Sequence, residues 1–289
     1  MFEPVPLLRY ADVGFQPDKL QHCVLRIQLS DEELLIAVFD PVLHRFPLVE
    51  KYTVRAGYSG LQTHQAAARI LRSHPLVRQD FKSREMIWVT PKYTLVPEAL
   101  FETNSAKDLL ALVHPLNDSE IIQDNVLNIQ GIRVLYAIPE TWKPLLQELG
   151  ADSTEHHYLY HLLQKVSSEN SRPDAVFCHV QDFRMDLVVM KDQRLELCNS
   201  YKFQTPDDFV YFILLAYDRH HFNRDEVILH LGGEIDAGSA LYTSAYKYIK
   251  ELRFLNRSKE PVVAPPADGT TKLQDHFYLN LLHPAHENH

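Results

Sequence analysis

Among the residues of this chain, those best placed to meet a ligand are the glycine pair Gly232-Gly233, which ends the apolar run 227–231 and leads into Glu234. Residues without a Cβ let a base or a ribose approach the backbone, although a glycine pair after a buried strand also serves simply as a turn. Two acidic hairpin turns add candidates. Asp31 stands in Ser30-Asp31-Glu32-Glu33, and Asp182 in Gln181-Asp182-Phe183-Arg184-Met185-Asp186. Asp182 and Asp186 offer carboxylates to a metal, but their spacing across a hairpin turn sets no mutual geometry. The sixteen histidines include the pairs His156-His157 and His220-His221. Neighbours on a helix or strand point in different directions, so neither pair is expected to hold one ion. With no His-Glu-x-x-His or Cys-x-x-Cys spacing, no metal is expected.

Other chemistries lack their motifs. There is no glycine-rich loop ending in Lys-Ser/Thr and no spaced dinucleotide-binding glycines. Gly238-Ser239-Ala240 lacks the nucleophile-elbow spacing, and Ser239 reads as a helix cap. Tyr242, Tyr246, Tyr248 and Phe254, interleaved with Lys247, Lys250 and Arg253, would suit base stacking, but their helical spacing favours a packed face. A net charge of -9 leaves no broad basic field, so no nucleic-acid partner is expected. Cys23, Cys178 and Cys198 sit in apolar or strand-like runs and read as buried free thiols. Residues 1–8 carry no basic region followed by an apolar run, and the greasiest stretch, 209–217, is far shorter than the roughly 20 residues a membrane helix needs. A cytoplasmic protein without membrane insertion is the expectation.

The elements that must position these residues follow from periodicity. Alternation over 23–29 sets Leu25, Ile27 and Leu29 against a wetted face of Arg26, Gln28 and Ser30. Strands over 34–39 and 48–54 complete a meander. A helix over 61–77, with Pro75 near its end, leads to strands over 85–90 and 126–137, and short helices are predicted over 97–101, 105–112 and 139–149. After the polar stretch 167–173 comes a second meander over 175–181, 185–190 and 195–203. Thr205 caps the next helix, with Pro206 and two carboxylates in its first turn. That helix is apolar on nearly every side, so Phe209, Phe212, Ile213 and Leu215 are expected in the core, and Phe212→Ala is expected to cost about 3 to 5 kcal/mol. A strand over 227–231 follows, then a helix over 239–255 with Tyr242, Tyr246, Ile249 and Leu252 on one face, a loop over 261–271 and a short helix over 273–282.

Meander, helix, strand and helix, given twice, resembles the actin-like ATPase superfamily, and the chain from 21 to 282 is similar to a bacterial domain-of-unknown-function family assigned that fold. The resemblance implies a duplicated α/β actin-like ATPase (ribonuclease H-like) fold of two lobes, each a mixed sheet flanked by helices. The lobes are placed at 22–166 and 175–283, with an N-terminal segment 1–21, a linker 167–174 and a mobile tail 284–289. It likens Leu229-His230-Leu231-Gly232-Gly233, with Glu234, to the superfamily's adenosine segment, and sets Asp31 and Asp182 in the turns where the superfamily holds phosphates and metal.

Neither turn carries the glycine of the superfamily's Asp-x-Gly, and Asp31, Glu32 and Glu33 repel a triphosphate unless a divalent ion intervenes. No catalytic residue is assigned and no cofactor is required. The function expected is that of a pseudo-ATPase, a degenerate non-hydrolysing member acting as a scaffold for a protein partner. The competing reading is an ATP-binding protein, ATPase or phosphotransferase that uses ATP with Mg²⁺ at an atypical site. Under that reading, substituting Gly232 or Gly233 abolishes nucleotide binding and leaves the fold intact.

Overall fold

A computed structural model describes residues 5–12, 15–16, 19–57, 62–127, 130–150, 153–169, 172–181, 184–256, 262–263 and 273–282. The chain runs through β1 (Leu8–Ala11), β2 (Val24–Leu29), β3 (Glu33–Asp40), β4 (Arg45–Thr53), α1 (Thr63–Ser73), β5 (Ser83–Trp88), β6 (Tyr93–Pro97), α2 (Ala106–Ala111), β7 (Glu120–Leu127) and β8 (Ile132–Pro139). It continues through α3 (Leu145–Leu149), β9 (Ser153–His157), α4 (Tyr158–Glu169), β10 (Ala175–Gln181), β11 (Arg184–Lys191), β12 (Arg194–Lys202), α5 (Pro206–His220), β13 (Leu229–Gly233), α6 (Ala240–Tyr246), β14 (Leu252–Phe254), β15 (Val262–Val263) and α7 (Leu279–Leu282). Two compact units emerge. The first holds Met1–His161, Lys259–Leu273 and Asn280–His289, and the second Leu162–Ser258 and Gln274–Leu279.

Each unit repeats one sheet plan. In the first unit β2, β3 and β4 form an antiparallel meander, and β5 then β9 add in parallel beside β2. In the second, β10, β11 and β12 form the meander, and β13 then β14 add in parallel beside β10. A parallel neighbour requires a crossover, which α1 supplies before β5 and α5 before β13. The first unit extends this plan with β1 and β15 on β4, and carries a separate antiparallel sheet in the order β6-β8-β7.

Several local expectations change. The single strand predicted over 126–137 is a hairpin: Gln130 and Gly131 turn with φ of 53° and 63°, so the apolar residues on either side belong to β7 and β8. The helix predicted over 239–255 stops at Tyr246 because Leu252–Phe254 pairs with β13, a ladder that outweighs helical spacing. Of the helix predicted over 273–282, only Leu279–Leu282 is helical. Strands β1, β6 and β9 were not anticipated, and α4 runs to Glu169, into the polar stretch read as a linker. The wetted face of β2 is buried instead, with Arg26 at 1% and Gln28 at 0% exposure, because strands β3 and β5 flank it and other elements cover both faces. Cys23 and Cys178 are buried free thiols as expected, whereas Cys198 is only half-buried.

The helix over 206–220 begins as its sequence dictates. Thr205 Oγ1 accepts from the Asp208 N–H at 3.1 Å, and the Asp208 carboxylate accepts in return from Thr205 N–H at 3.0 Å, a reciprocal cap. Phe209, Val210, Ile213, Ala216 and Tyr217 are buried against Val176, Cys178 and Leu187. Phe212 and Leu215, expected in the core, are only half-buried. Phe212 instead stacks on Tyr201 of β12 at 4.4 Å. Denaturant unfolding is therefore expected to show a loss of about 3 kcal/mol for Phe209→Ala and only about 1 to 2 kcal/mol for Phe212→Ala. Equal losses would contradict this placement.

Candidate functional site

The glycine pair ends β13, which lies between β10 and the edge strand β14 in the second unit's sheet. Gly233 has φ of 79°, and a Cβ built there would lie 1.9 Å from the Val180 carbonyl oxygen on β10. The turn is taken up by the segment Gln274–Leu279. Gly233 N–H donates to the His276 carbonyl at 2.7 Å, and His276 Nε2–H donates to the Ile235 carbonyl at 2.6 Å. The buried His276 ring stacks on Phe254 at 4.1 Å, and Phe254 in turn lies 5.6 Å from Tyr242. Leu279 and Leu255 fill the space beside Gly232, their methyl groups 3.0 and 3.2 Å from where its Cβ would be. Glu234 follows the pair, its N–H bonded to the Val180 carbonyl at 2.7 Å. Tyr246, expected on the packed face of α6, is 61% exposed because the helix ends there.

Asp31 is exposed in the β2–β3 turn, and its carbonyl accepts from Thr63 Oγ1 at 3.3 Å. The amides beside it already have a partner: Ser30 Oγ accepts from the Glu32 and Glu33 N–H groups at 3.2 and 3.0 Å. Glu33 pairs with Lys51 at 2.5 Å and Glu32 with Arg55 at 3.3 Å. Asp182 lies outside the described residues. Asp186 is buried, accepts a short hydrogen bond from the Ser200 hydroxyl and lies 3.6 Å from His179 Nδ1. His220 and His221 end α5, with His221 as its left-handed cap at φ 59°.

A cluster that sequence reasoning missed is buried in the first unit. Glu85 on β5 receives His156 Nδ1 at 2.6 Å and His161 Nε2 at 2.7 Å on the same oxygen, Oε1. Its other oxygen pairs with Arg26 Nε at 3.0 Å, and Arg26 Nη1 donates to the Leu281 carbonyl at 2.9 Å. His161 is fully buried, whereas the His156 side chain is 24% exposed and stacks on Tyr160 at 4.3 Å. Burial by itself raises the Glu85 carboxyl. The charges of His161 and Arg26 and the hydrogen bonds from both histidines outweigh it and hold Glu85 well below the usual carboxylate range. His157 diverges from His156, its Nε2–H donating to the Thr90 carbonyl at 3.0 Å. The available signal was a strand-end histidine followed by a second in the first turn of the next helix, legible only once β9 and α4 are placed.

A groove of about 1080 Å³ also belongs to the first unit, and it too went unforeseen. It lies along α1, which buries Ala66, Ala67, Ile70 and Leu71 and turns Arg69 and Arg72 outward. Arg78 and His64 join them, and the far wall is Pro144, Leu145 and Glu148 on and before α3. Glu148 pairs with Arg72 at 2.7 Å. The groove presents three arginines against that one carboxylate, on a chain whose net charge is -9.

Among the described residues, no helix is long and apolar enough to cross a membrane. The chain superposes on a protein with actin-like ATPase fold and unknown function from Bacteroides thetaiotaomicron VPI-5482, with a TM-score of 0.75 and 18% identity over 86% of this chain and 95% of that one. It also superposes on a chain of the PilM-PilN type IV pilus biogenesis complex, with a TM-score of 0.54 and 13% identity over 83% of this chain and 90% of that one. The fold is thus the actin-like ATPase fold, as the repeated sheet plan implies. No curated protein matches the chain in sequence. The sequence model of the family described as protein of unknown function (DUF3822) matches residues 12–252, and the chain belongs to that family.

Proposed function

We propose that this chain is a non-hydrolysing actin-like-fold protein that works in the cytoplasm as a scaffold for a protein partner, and that the α1–α3 groove receives an acidic segment of that partner. The observation that carries this reading is the groove itself, a large concavity rich in arginine on an acidic chain. Such local complementarity recruits a partner of opposite charge. Two contacts support the absence of turnover: the segment Gln274–Leu279 packs on the Gly232-Gly233 turn, and the Ser30 hydroxyl takes the amides beside Asp31. A fold neighbour described as a PilM-PilN complex is consistent with a partner-holding role.

The test has two arms. In a thermal-shift series ATP, ADP and Mg²⁺ are expected to leave the melting temperature unchanged, whereas a ligand at a hundred times its Kd adds about 2.7 kcal/mol. Acidic peptides are expected to bind in a salt-dependent manner, and the double change Arg69→Glu with Arg78→Glu to abolish that binding without lowering the melting temperature. Mg²⁺-dependent turnover of about 1 per second or faster, lost in Asp31→Asn, would restore the phosphotransferase reading. Acidic peptides that ignore the double change would remove the groove from it.

A further inference from the structure

We infer that Glu85, His156 and His161 form a binding site for a divalent transition-metal ion of the zinc type, with the ion replacing the two hydrogen bonds that now converge on Glu85 Oε1. Three features of the geometry point there. The ligand atoms come from three elements, β5, β9 and the first turn of α4, and lie within 4.8 Å of one another. Zinc binds imidazole nitrogen at about 2.0–2.1 Å and carboxylate oxygen at about 2.0–2.2 Å, so neighbouring ligands of a tetrahedral ion stand about 3.3 Å apart. The present separations of 2.6 and 2.7 Å would open by roughly 0.6 Å to admit it. That is a small side-chain adjustment. Two imidazoles and one carboxylate leave a fourth position for water, and His156, the one ligand that reaches solvent, gives the ion its entry.

The surroundings also select which ion binds. Arg26 Nε lies 3.0 Å from Glu85 Oε2, which orients the carboxylate as an outer-shell partner and leaves Oε1 for the ion. The same guanidinium adds a positive charge beside the site, so an ion bound by charge alone gains little. At His161 the proton on Nε2 moves to Nδ1, a buried atom with no hydrogen-bond partner among the described residues. An ion must bond imidazole strongly enough to drive that transfer. Zn²⁺, Co²⁺, Ni²⁺ and Cu²⁺ do so, whereas Mg²⁺ and Ca²⁺ prefer oxygen ligands. A neutral imidazole keeps its one proton on the nitrogen turned away from the ion, and a doubly protonated one releases a proton to solvent as the ion binds. Bound in this way the ion would tie β9 to the start of α4.

Full-length protein stripped with a chelator and titrated with Zn²⁺, Co²⁺ and Mg²⁺ tests the inference. Zn²⁺ is expected to raise the melting temperature with concentration, and Mg²⁺ to leave it unchanged. Co²⁺ is expected to give visible d–d bands without the near-ultraviolet sulfur band that a Cys23 ligand would bring. His156→Ala removes the solvent-reaching ligand and leaves the buried Glu85, His161 and Arg26 in place. It is expected to lose the Co²⁺ bands and to weaken zinc binding at least about 10-fold, the loss that an outer-shell change alone can cause. His156→Gln, which can still hydrogen-bond to Glu85, gives the same readout if the alanine variant folds poorly. His22→Ala is expected to leave the bands as they are, since His22 belongs to the separate group with Cys23 and Asp40. Two results would overturn the site: no zinc effect on the parent protein, or Co²⁺ bands that survive both His156 changes and so arise elsewhere, such as at the histidines of 283–289.

Discussion

Gly233→Ala is expected to lower the stability of the second unit by more than about 4 kcal/mol. The new Cβ would meet three backbone atoms of one residue, Val180 O at 1.9 Å and Val180 C and N at 2.8 Å. None can swing aside as a side-chain tip does, because Val180 is held in the β10–β11 and β10–β13 ladders. A φ of 79° adds the strain of the left-handed region, on the order of 1 to 3 kcal/mol for a residue with a Cβ. Gly232→Ala differs in kind. Its Cβ would press on the methyl groups of Leu279 and Leu255, at 3.0 and 3.2 Å, and touch His179 Cδ2 at 3.7 Å, all side-chain atoms, and is expected to cost about 1 kcal/mol. Denaturant unfolding of the two variants checks this, and a loss under about 1 kcal/mol for Gly233→Ala would refute it. The expectation that either glycine can be replaced with the fold intact is therefore corrected for Gly233, and any nucleotide-binding test of the pair must use Gly232.

Glu85→Gln is expected to lower the stability of the first unit by about 3 to 5 kcal/mol, because it leaves the Arg26 guanidinium buried without its counter-charge. Arg26 lies near Phe39 and Phe46, at 5.5 and 5.9 Å from their ring centres, and is buried at 1% exposure. Arg26→Met in the Glu85→Gln background should then restore part of the loss, since an apolar side chain of similar length needs no counter-ion. A double-mutant cycle is expected to return a coupling of about 1 to 3 kcal/mol. Independent, additive losses would show that the pair does not act as a unit.

Much of the fold was legible locally. The second meander and the helix after Thr205 were readable because alternation and capping are short-range signals. The glycine pair was readable as the end of a buried strand. What was illegible shares one cause. Residues 126–137 carry apolar residues on both sides of a glycine turn, so periodicity alone merged two strands, and Leu252–Phe254 is a strand only because β13 lies beside it. At the candidate sites Asp31 was placed correctly in its turn, but the use of the neighbouring amides by Ser30 depends on the backbone conformation of that turn.

The sequence by itself determined the meander, helix and strand that recur in each half, an order that resembles the actin-like plan, because hydrophobic period and turn residues act within a few positions of one another. It also determined the acidic balance that makes an arginine-lined groove stand out. Only the tertiary structure decided which polar residues are buried together. Glu85 and His161 stand 76 positions apart, and Arg26 and Leu281 stand 255 apart. Burial removes the water that would otherwise solvate them. It thereby turns Arg26 from one member of an expected wetted face into the counter-charge of a buried carboxylate. In the same way, the chain segment around His276 reaches the Gly232-Gly233 turn only through folding, which makes a glycine pair suited to a ligand into a contact of the protein with itself.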